Sequence, residues 1–341
     1  MVAWLLDIVL LGGLILSFIM AFNIGGNDAA NPTDCAVGSG VLSIRRALIL
    51  FSIFVFTGSL LQGFMVMKTI GRGIVPEVDV FGAFIIVLSA NIWILTCTLL
   101  GKPVSTTHSI TSAVLGYGLV KYGLNINVHV LVMIILSWIT SPLCSLIIAF
   151  IIYKMLETYI RKSIFSTSLL FEKIIKILLI FSLCFSAYAF GANDVGNATG
   201  VYVTIASKLG NIPDYNAMIL LAAYGAIGIA IGGLIIGPRV IKTVAFEVCR
   251  LDILTGLAAE LSNALTVYLF TTIPYMLMGY GLPISTSYAT VGSIIGAGIA
   301  KSRKSINKTV TISIAMFWVL TVPITAALCG LMYFIGVTII S

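Results

Sequence analysis

Eight apolar runs, each long enough to cross a bilayer, leave this chain almost no surface for water. They cover roughly residues 4–22, 47–67, 80–100, 128–152, 174–192, 216–236, 253–280 and 309–340, and a spanning helix needs about 20 apolar residues. Only 9% of the 341 residues are charged, against about 25% in a soluble domain. The chain cannot cover itself with polar groups, so its solvent is lipid. Within lipid, helices satisfy every backbone group internally. The expected fold class is an all-α polytopic membrane protein, multi-pass in the cell membrane. No large soluble domain fits between the runs. The first run is too polar at its end, and too well matched by a later copy, for a cleaved signal peptide.

The net charge of +7 would point a soluble protein toward nucleic acid. Here the basic residues cluster in loops, so they are read as topology and contact with anionic lipid, with no nucleic-acid partner. The densest cluster, Lys154, Arg161, Lys162, Lys173 and Lys176, marks a basic connector over 156–173, expected on the cytoplasmic side. It divides a first membrane repeat, 1–155, from a second, 174–341. The six cysteines are scattered without a C-x-x-C pair and read as small core residues. The two histidines, His108 and His129, are too isolated for a metal site.

Two polar knots interrupt the apolar runs. Asn27-Asp28-Ala29-Ala30-Asn31 closes the first run and Asn193-Asp194-Val195-Gly196-Asn197 closes a later one. Desolvating an acid is expensive, so an intramembrane acid marks function. A second pair follows in the same order: Pro103-Val104-Ser105-Thr106-Thr107-His108 and Pro283-Ile284-Ser285-Thr286-Ser287-Tyr288. A third echo is Lys68-Thr69 against Lys242-Thr243. Three motifs in one order indicate a duplication, expected as an inverted-topology repeat with matched broken helices around one site.

The run after each Pro-φ-Ser-Thr motif is only about 15 residues, short for a span and suited to a re-entrant hairpin. Proline is expected in the first helical turn, where its missing N–H costs nothing. Hydroxyls beside the free N–H groups of that turn form an anion site at the positive end of a helix. The Asn-Asp knots supply hard oxygen ligands for Na⁺ or a proton. Gly25, Gly26, Gly191 and Gly196 are expected to let the backbone leave the helix there. Gly58, Gly63, Gly228, Gly232, Gly233 and Gly237 are read as close-packing positions. Asp34 and Asp252 are read as interfacial acids, with Asp34 a candidate N-cap. Glu260, beside Ser262 and Asn263, is a candidate site or gating residue. Trp93, Trp138 and Trp318 are read as packing or interface anchors.

These motifs resemble the inorganic phosphate transporter family, the Pit-type permeases. The family's G-A-N-D-V-A-N-A-like string is met at Gly191–Ala198, departing only at Gly196, and more loosely at Gly25–Pro32. Its P-V-S-T-T-H string is intact at Pro103–His108 and becomes P-I-S-T-S-Y at Pro283–Tyr288. The resemblance implies a symporter for inorganic phosphate coupled to Na⁺ or H⁺, non-enzymatic, without cofactor, and homodimeric. The matching phosphate-binding positions are Asn27, Asp28, Ser105, Thr106, Thr107, Asn193, Asp194, Ser285, Thr286 and Ser287. The coupling cation, Na⁺ if a metal, falls to Asp28, Asn31, Asp194, Asn197 and Glu260. The main alternative is a sulfate permease of the same fold. A remote one is an intramembrane aspartyl protease using Asp28 and Asp194, which leaves the duplicated Ser/Thr motifs unexplained.

Overall fold

The computed structural model describes residues 2–99, 104–162, 168–241, 252–302 and 308–340. Lys102, Pro103, Lys242, Thr243, Cys249 and the side chain of Trp318 lie outside the described residues. The described chain is helical throughout its ordered elements. They are α1 (Val2–Asp28), α2 (Asp34–Gly38), α3 (Ile44–Gln62), α4 (Phe64–Lys68), α5 (Val80–Leu99), α6 (Thr106–Tyr122) and α7 (Val128–Lys162). There follow α8 (Leu169–Thr199), α9 (Val203–Gly210), α10 (Asp214–Ile235), α11 (Ile253–Met278), α12 (Thr286–Lys301) and α13 (Lys308–Ile340). Among the described residues eight helical segments are long and apolar enough to cross a membrane. They fall on the eight apolar runs of the sequence. Many of their large apolar side chains, such as Leu11, Ile53, Leu143 and Phe181, face outward, as lipid requires.

The order of elements in the first half, α1, α3, α5, α6 and α7, repeats in the second as α8, α10, α11, α12 and α13. The packing repeats with it. Helix α1 lies on α10 as α8 lies on α3, and α6 lies on α13 as α12 lies on α7. The halves are therefore interleaved, each supplying the partner helices of the other.

Glycines set how close these crossings come. A Cβ on Gly25 would stand 1.8 Å from the Ile229 carbonyl oxygen, and one on Gly232 would stand 1.9 Å from that of Phe22. In the other half, Gly58 meets the Tyr188 carbonyl at 2.0 Å and Gly191 meets that of Val55 at 2.2 Å. Each crossing thus carries a reciprocal pair of glycine–carbonyl contacts. This corrects the sequence reading of Gly25, Gly26, Gly191 and Gly196, which lie within α1 and α8. Absence of a side chain, rather than freedom of the backbone, is what those positions use.

The two polar knots end differently. After Asp28 the chain turns through residues 29–33 before α2 begins. Pro32 disfavours helix for the residue before it. Its counterpart in the second half is Ala198, and there α8 continues to Thr199 before a short 3₁₀ turn, Gly200–Tyr202. Helix α7 reaches Lys162 and α8 starts at Leu169, so both run into the basic connector segment.

Candidate functional site

Ser105 and Ser285 start the two short helices. Each is an extended residue whose Oγ accepts the N–H three residues on, from His108 and from Tyr288, both at 3.3 Å. That cap satisfies one orphan donor of the first turn. Helix α6 then begins at Thr106 and α12 at Thr286. Pro283 lies two residues before its cap, outside the helix, which corrects the expectation of a proline in the first turn. The Pro283 carbonyl accepts instead from the indole of Trp138 at 3.1 Å.

Both helix starts meet the C-terminal end of α1. Thr106 donates to Asp28 Oδ2 at 3.2 Å, and Ser287 donates to Asp28 Oδ1 at 3.3 Å. Asn27 is the third donor to this carboxylate and the second to Oδ1, at 3.1 Å. Asn31 donates to Ser287 at 3.1 Å and to Thr286 at 3.4 Å. The second knot repeats this across the site. Asn197 donates to Thr107 at 2.9 Å and to Asp194 Oδ1 at 2.9 Å. Thr107 in turn donates to the Ile284 carbonyl at 3.0 Å. So Asn31 of one half holds Ser287 of the other, and Asn197 holds Thr107. Equivalent residues make equivalent bonds in opposite directions.

His108 and Tyr288 are also equivalent, and they touch each other. Tyr288 Oη lies 2.9 Å from His108 Nδ1, and their rings stand 4.5 Å apart edge to face. The contact joins the starts of α6 and α12, and the ring of Trp138 lies 3.8 Å from that of His108. The departure from His to Tyr at the second copy supplies a hydroxyl to this bond. Sequence reasoning read Trp138 as packing and passed over the pair.

The centre is buried and rich in acceptors. Asp28, Asp194, Asn193, Asn197, Thr106, Thr107 and Thr286 are all buried. Three of its acceptor oxygens, Asp194 Oδ2, Asn193 Oδ1 and Asn197 Oδ1, have no hydrogen-bond partner. Unpaired buried acceptors are costly, and either a hydrogen-bond donor or a cation would relieve that cost. Asn193 otherwise faces away, donating to Thr271 at 2.8 Å and to the Leu282 carbonyl at 3.0 Å. It fixes the segment leading into α12.

The remaining acids divide. Asp252 is the N-cap of α11, with a reciprocal Asp252–Thr255 capping box and an ion pair to Lys301. Burial pushes its carboxyl upward, but the Lys301 and Thr255 bonds outweigh that and hold it below the usual carboxylate range. Asp34, expected at an interface as a cap, is 1% exposed, and Thr33 takes the cap position. It lies with Glu260 and Cys35. Glu260, also 1% exposed, makes no hydrogen bond to the Asp28 and Asp194 centre. Asn91 accepts from Asn23 and donates to the Leu16 carbonyl, tying α5 to α1.

Eight apolar spans around a duplicated, buried, oxygen-rich centre with two helix starts aimed into it define a multi-pass membrane transporter, not an enzyme. The comparisons with known proteins agree. Residues 24–329 match the phosphate transporter family, and the chain belongs to that family. It is 32% identical to a protein named as a phosphate permease in Pyrococcus abyssi, over 94% of this chain and 96% of the relative. It is 30% identical to one so named in Pyrococcus horikoshii, with the same coverage. A solved structure titled the sodium-dependent phosphate transporter superposes with a TM-score of 0.84 at 30% identity, covering 97% of this chain and 99% of that one.

Proposed function

We propose that the chain is a symporter that carries inorganic phosphate across the cell membrane with Na⁺ as the coupling ion. The observation that carries this reading is the pairing of opposite chemistries at one buried point. Two helix N-termini bring the hydroxyls of Thr106, Thr107, Thr286 and Ser287, with their first-turn N–H groups, to one place, a donor set for an oxyanion. Beside them stand the unpartnered oxygens of Asp194, Asn193 and Asn197, a hard acceptor set for Na⁺. Family membership and the sodium-dependent neighbour support the assignment.

In this reading Asn27, Asp28, Ser105, Thr106, Thr107, Asn193, Asp194, Ser285, Thr286 and Ser287 line the phosphate site. Asp28, Asn31, Asp194 and Asn197 hold the coupling cation, and Glu260 is a further charge on its route. Without the ion, the two carboxylates repel a phosphate; with it, that repulsion is offset. That dependence is the coupling. A protonated phosphate can also donate to Asp28 or Asp194, which sulfate cannot do. The two halves are an inverted repeat, α6 and α12 are re-entrant, and access alternates by movement of one set of repeats against the other. The working assembly is a homodimer.

The test is uptake of radiolabelled phosphate by proteoliposomes under imposed Na⁺ or H⁺ gradients. Saturable accumulation driven by Na⁺, competed by arsenate and not by sulfate, is expected. Accumulation driven by H⁺ alone removes Na⁺ from the reading. Preferential sulfate uptake removes phosphate.

A further inference from the structure

A second acidic point lies outside the transport centre, and its composition is different. At the first point, Thr106, Ser287 and Asn27 donate to Asp28. At the second, all four carboxylate oxygens of Asp34 and Glu260 are buried without a hydrogen bond of normal length, and the donors facing them are Cys35 and Ser186. The thiol of Cys35 stands with them. One ligand atom from each of the three residues lies within 4.8 Å of the other two.

Two ionised carboxylates this close, in a buried site, repel strongly. A shared proton or a bound cation relieves that repulsion. A shared proton needs two oxygens only. The third corner selects among cations, because a sulfur is a poor ligand for Na⁺ and a good one for a soft or borderline divalent ion. We propose that Asp34, Cys35 and Glu260 form a binding site for a thiophilic divalent cation of the Zn²⁺ class, separate from the coupling-cation centre. Asp, Glu and Cys are all ligands of Zn²⁺, and three protein ligands leave a fourth position for water. Arms of about 2.0–2.3 Å set tetrahedral ligand atoms roughly 3.5 Å apart, so side-chain adjustments close the observed spacing. The thiol gives up its proton on binding, so affinity rises with pH.

The position gives the site a consequence. Asp34 and Cys35 open α2, just past the break that follows Asp28, and α2 packs on α11, which carries Glu260. The same α11 packs on α8 and on α12. A metal bridging Cys35 and Glu260 pins the segment after the first knot to the helix that leads to the second hairpin. Transport that requires these parts to shift is then inhibited by the metal.

The binding claim does not depend on what the transporter carries, and its test uses no phosphate. Cd²⁺ alone is titrated into the purified full-length protein in detergent, following the ultraviolet thiolate-to-metal charge-transfer band. One saturating site per chain is expected, competed by Zn²⁺. Cys35→Ser abolishes the band while the other five cysteines remain. Asp34→Asn weakens binding at least tenfold, since even an outer-shell change costs about 10- to 100-fold. A band that survives Cys35→Ser, or unchanged affinity in a folded Asp34→Asn, overturns the proposal. Should either variant fail to fold, X-ray absorption of zinc-loaded wild-type protein decides. One sulfur among oxygen neighbours supports the site, and an all-oxygen or nitrogen shell, or no stoichiometric zinc, overturns it.

Discussion

Asp194→Asn separates the charge of the transport centre from its shape. The amide occupies the same volume and keeps an oxygen for the 2.9 Å bond from Asn197. It replaces Oδ2, the buried oxygen without a donor, with an NH₂ group that faces a cation with positive rather than negative charge. A charge-assisted contact is worth about 1.5–3 kcal/mol. The Coulomb attraction of two unit charges at 4 Å, through an effective dielectric near 20, is about 4 kcal/mol. A loss of roughly 2–4 kcal/mol corresponds to a fall of about 30- to 700-fold in Na⁺ affinity. Folding is not expected to suffer, because an amide is cheaper to bury than a carboxylate. The assay is phosphate uptake in proteoliposomes across a Na⁺ series, with Na⁺ binding measured by calorimetry on the same preparation. Uptake at ordinary Na⁺ disappears, while yield and thermal midpoint hold or rise. A wild-type Na⁺ dependence in well-incorporated Asp194→Asn protein would refute the cation role of this carboxylate.

Other consequences are as direct. Thr106→Val and Thr286→Val keep shape and remove a hydroxyl each; either should weaken phosphate binding about 10- to 100-fold, with Na⁺ affinity less affected. The double variant should fall short of the product, because both residues serve one site, and unchanged phosphate affinity would place the anion elsewhere. Gly58→Ala puts a Cβ 2.0 Å from the Tyr188 carbonyl oxygen, so α3 and α8 must part. Overpacking of this kind costs about 1–3 kcal/mol, read as a lower thermal midpoint with helical circular dichroism retained; a wild-type midpoint would deny the close crossing. The Asp252 carboxyl sits below its ordinary range in the folded chain, so the unfolded state binds the proton more tightly. Its stabilisation is present above the unfolded value and lost as pH falls through the folded one. Asp252→Asn should therefore lower the midpoint near neutral pH and make little difference in strong acid, and a deficit that grows on acidification would contradict the Lys301 pairing.

Much of the candidate site was legible as residue types. An acid with two amides cannot sit in lipid without a task, and its recurrence in the second half identifies the chain positions involved. Nine of the predicted residues, Asn27, Asp28, Asn31, Thr106, Thr107, Asp194, Asn197, Thr286 and Ser287, enter the hydrogen-bonded centre. Ser105 and Ser285 were legible as hydroxyls at a helix start but not as caps, because a cap depends on where the helix begins to within one residue. Asn193 was legible as polar, yet its amide turns to Thr271 and Leu282, a partner choice made by distant elements. The knot glycines were misread because a glycine in a sequence does not say whether it bends its own helix or admits another.

The sequence by itself determined the solvent, the apolar runs long enough to span and the recurrence of the motifs, since these follow from composition, run length and order along the chain. Tertiary structure decided how the halves interlock. Nothing local to Asn31 says that it will reach Ser287, or that Tyr288 will close on His108. Nor does anything near Asp34 announce Glu260, more than two hundred residues away. Those pairings are set by helix crossings at glycine–carbonyl contacts, and a crossing is a property of two surfaces. A chain can state each surface separately, but only packing brings them together.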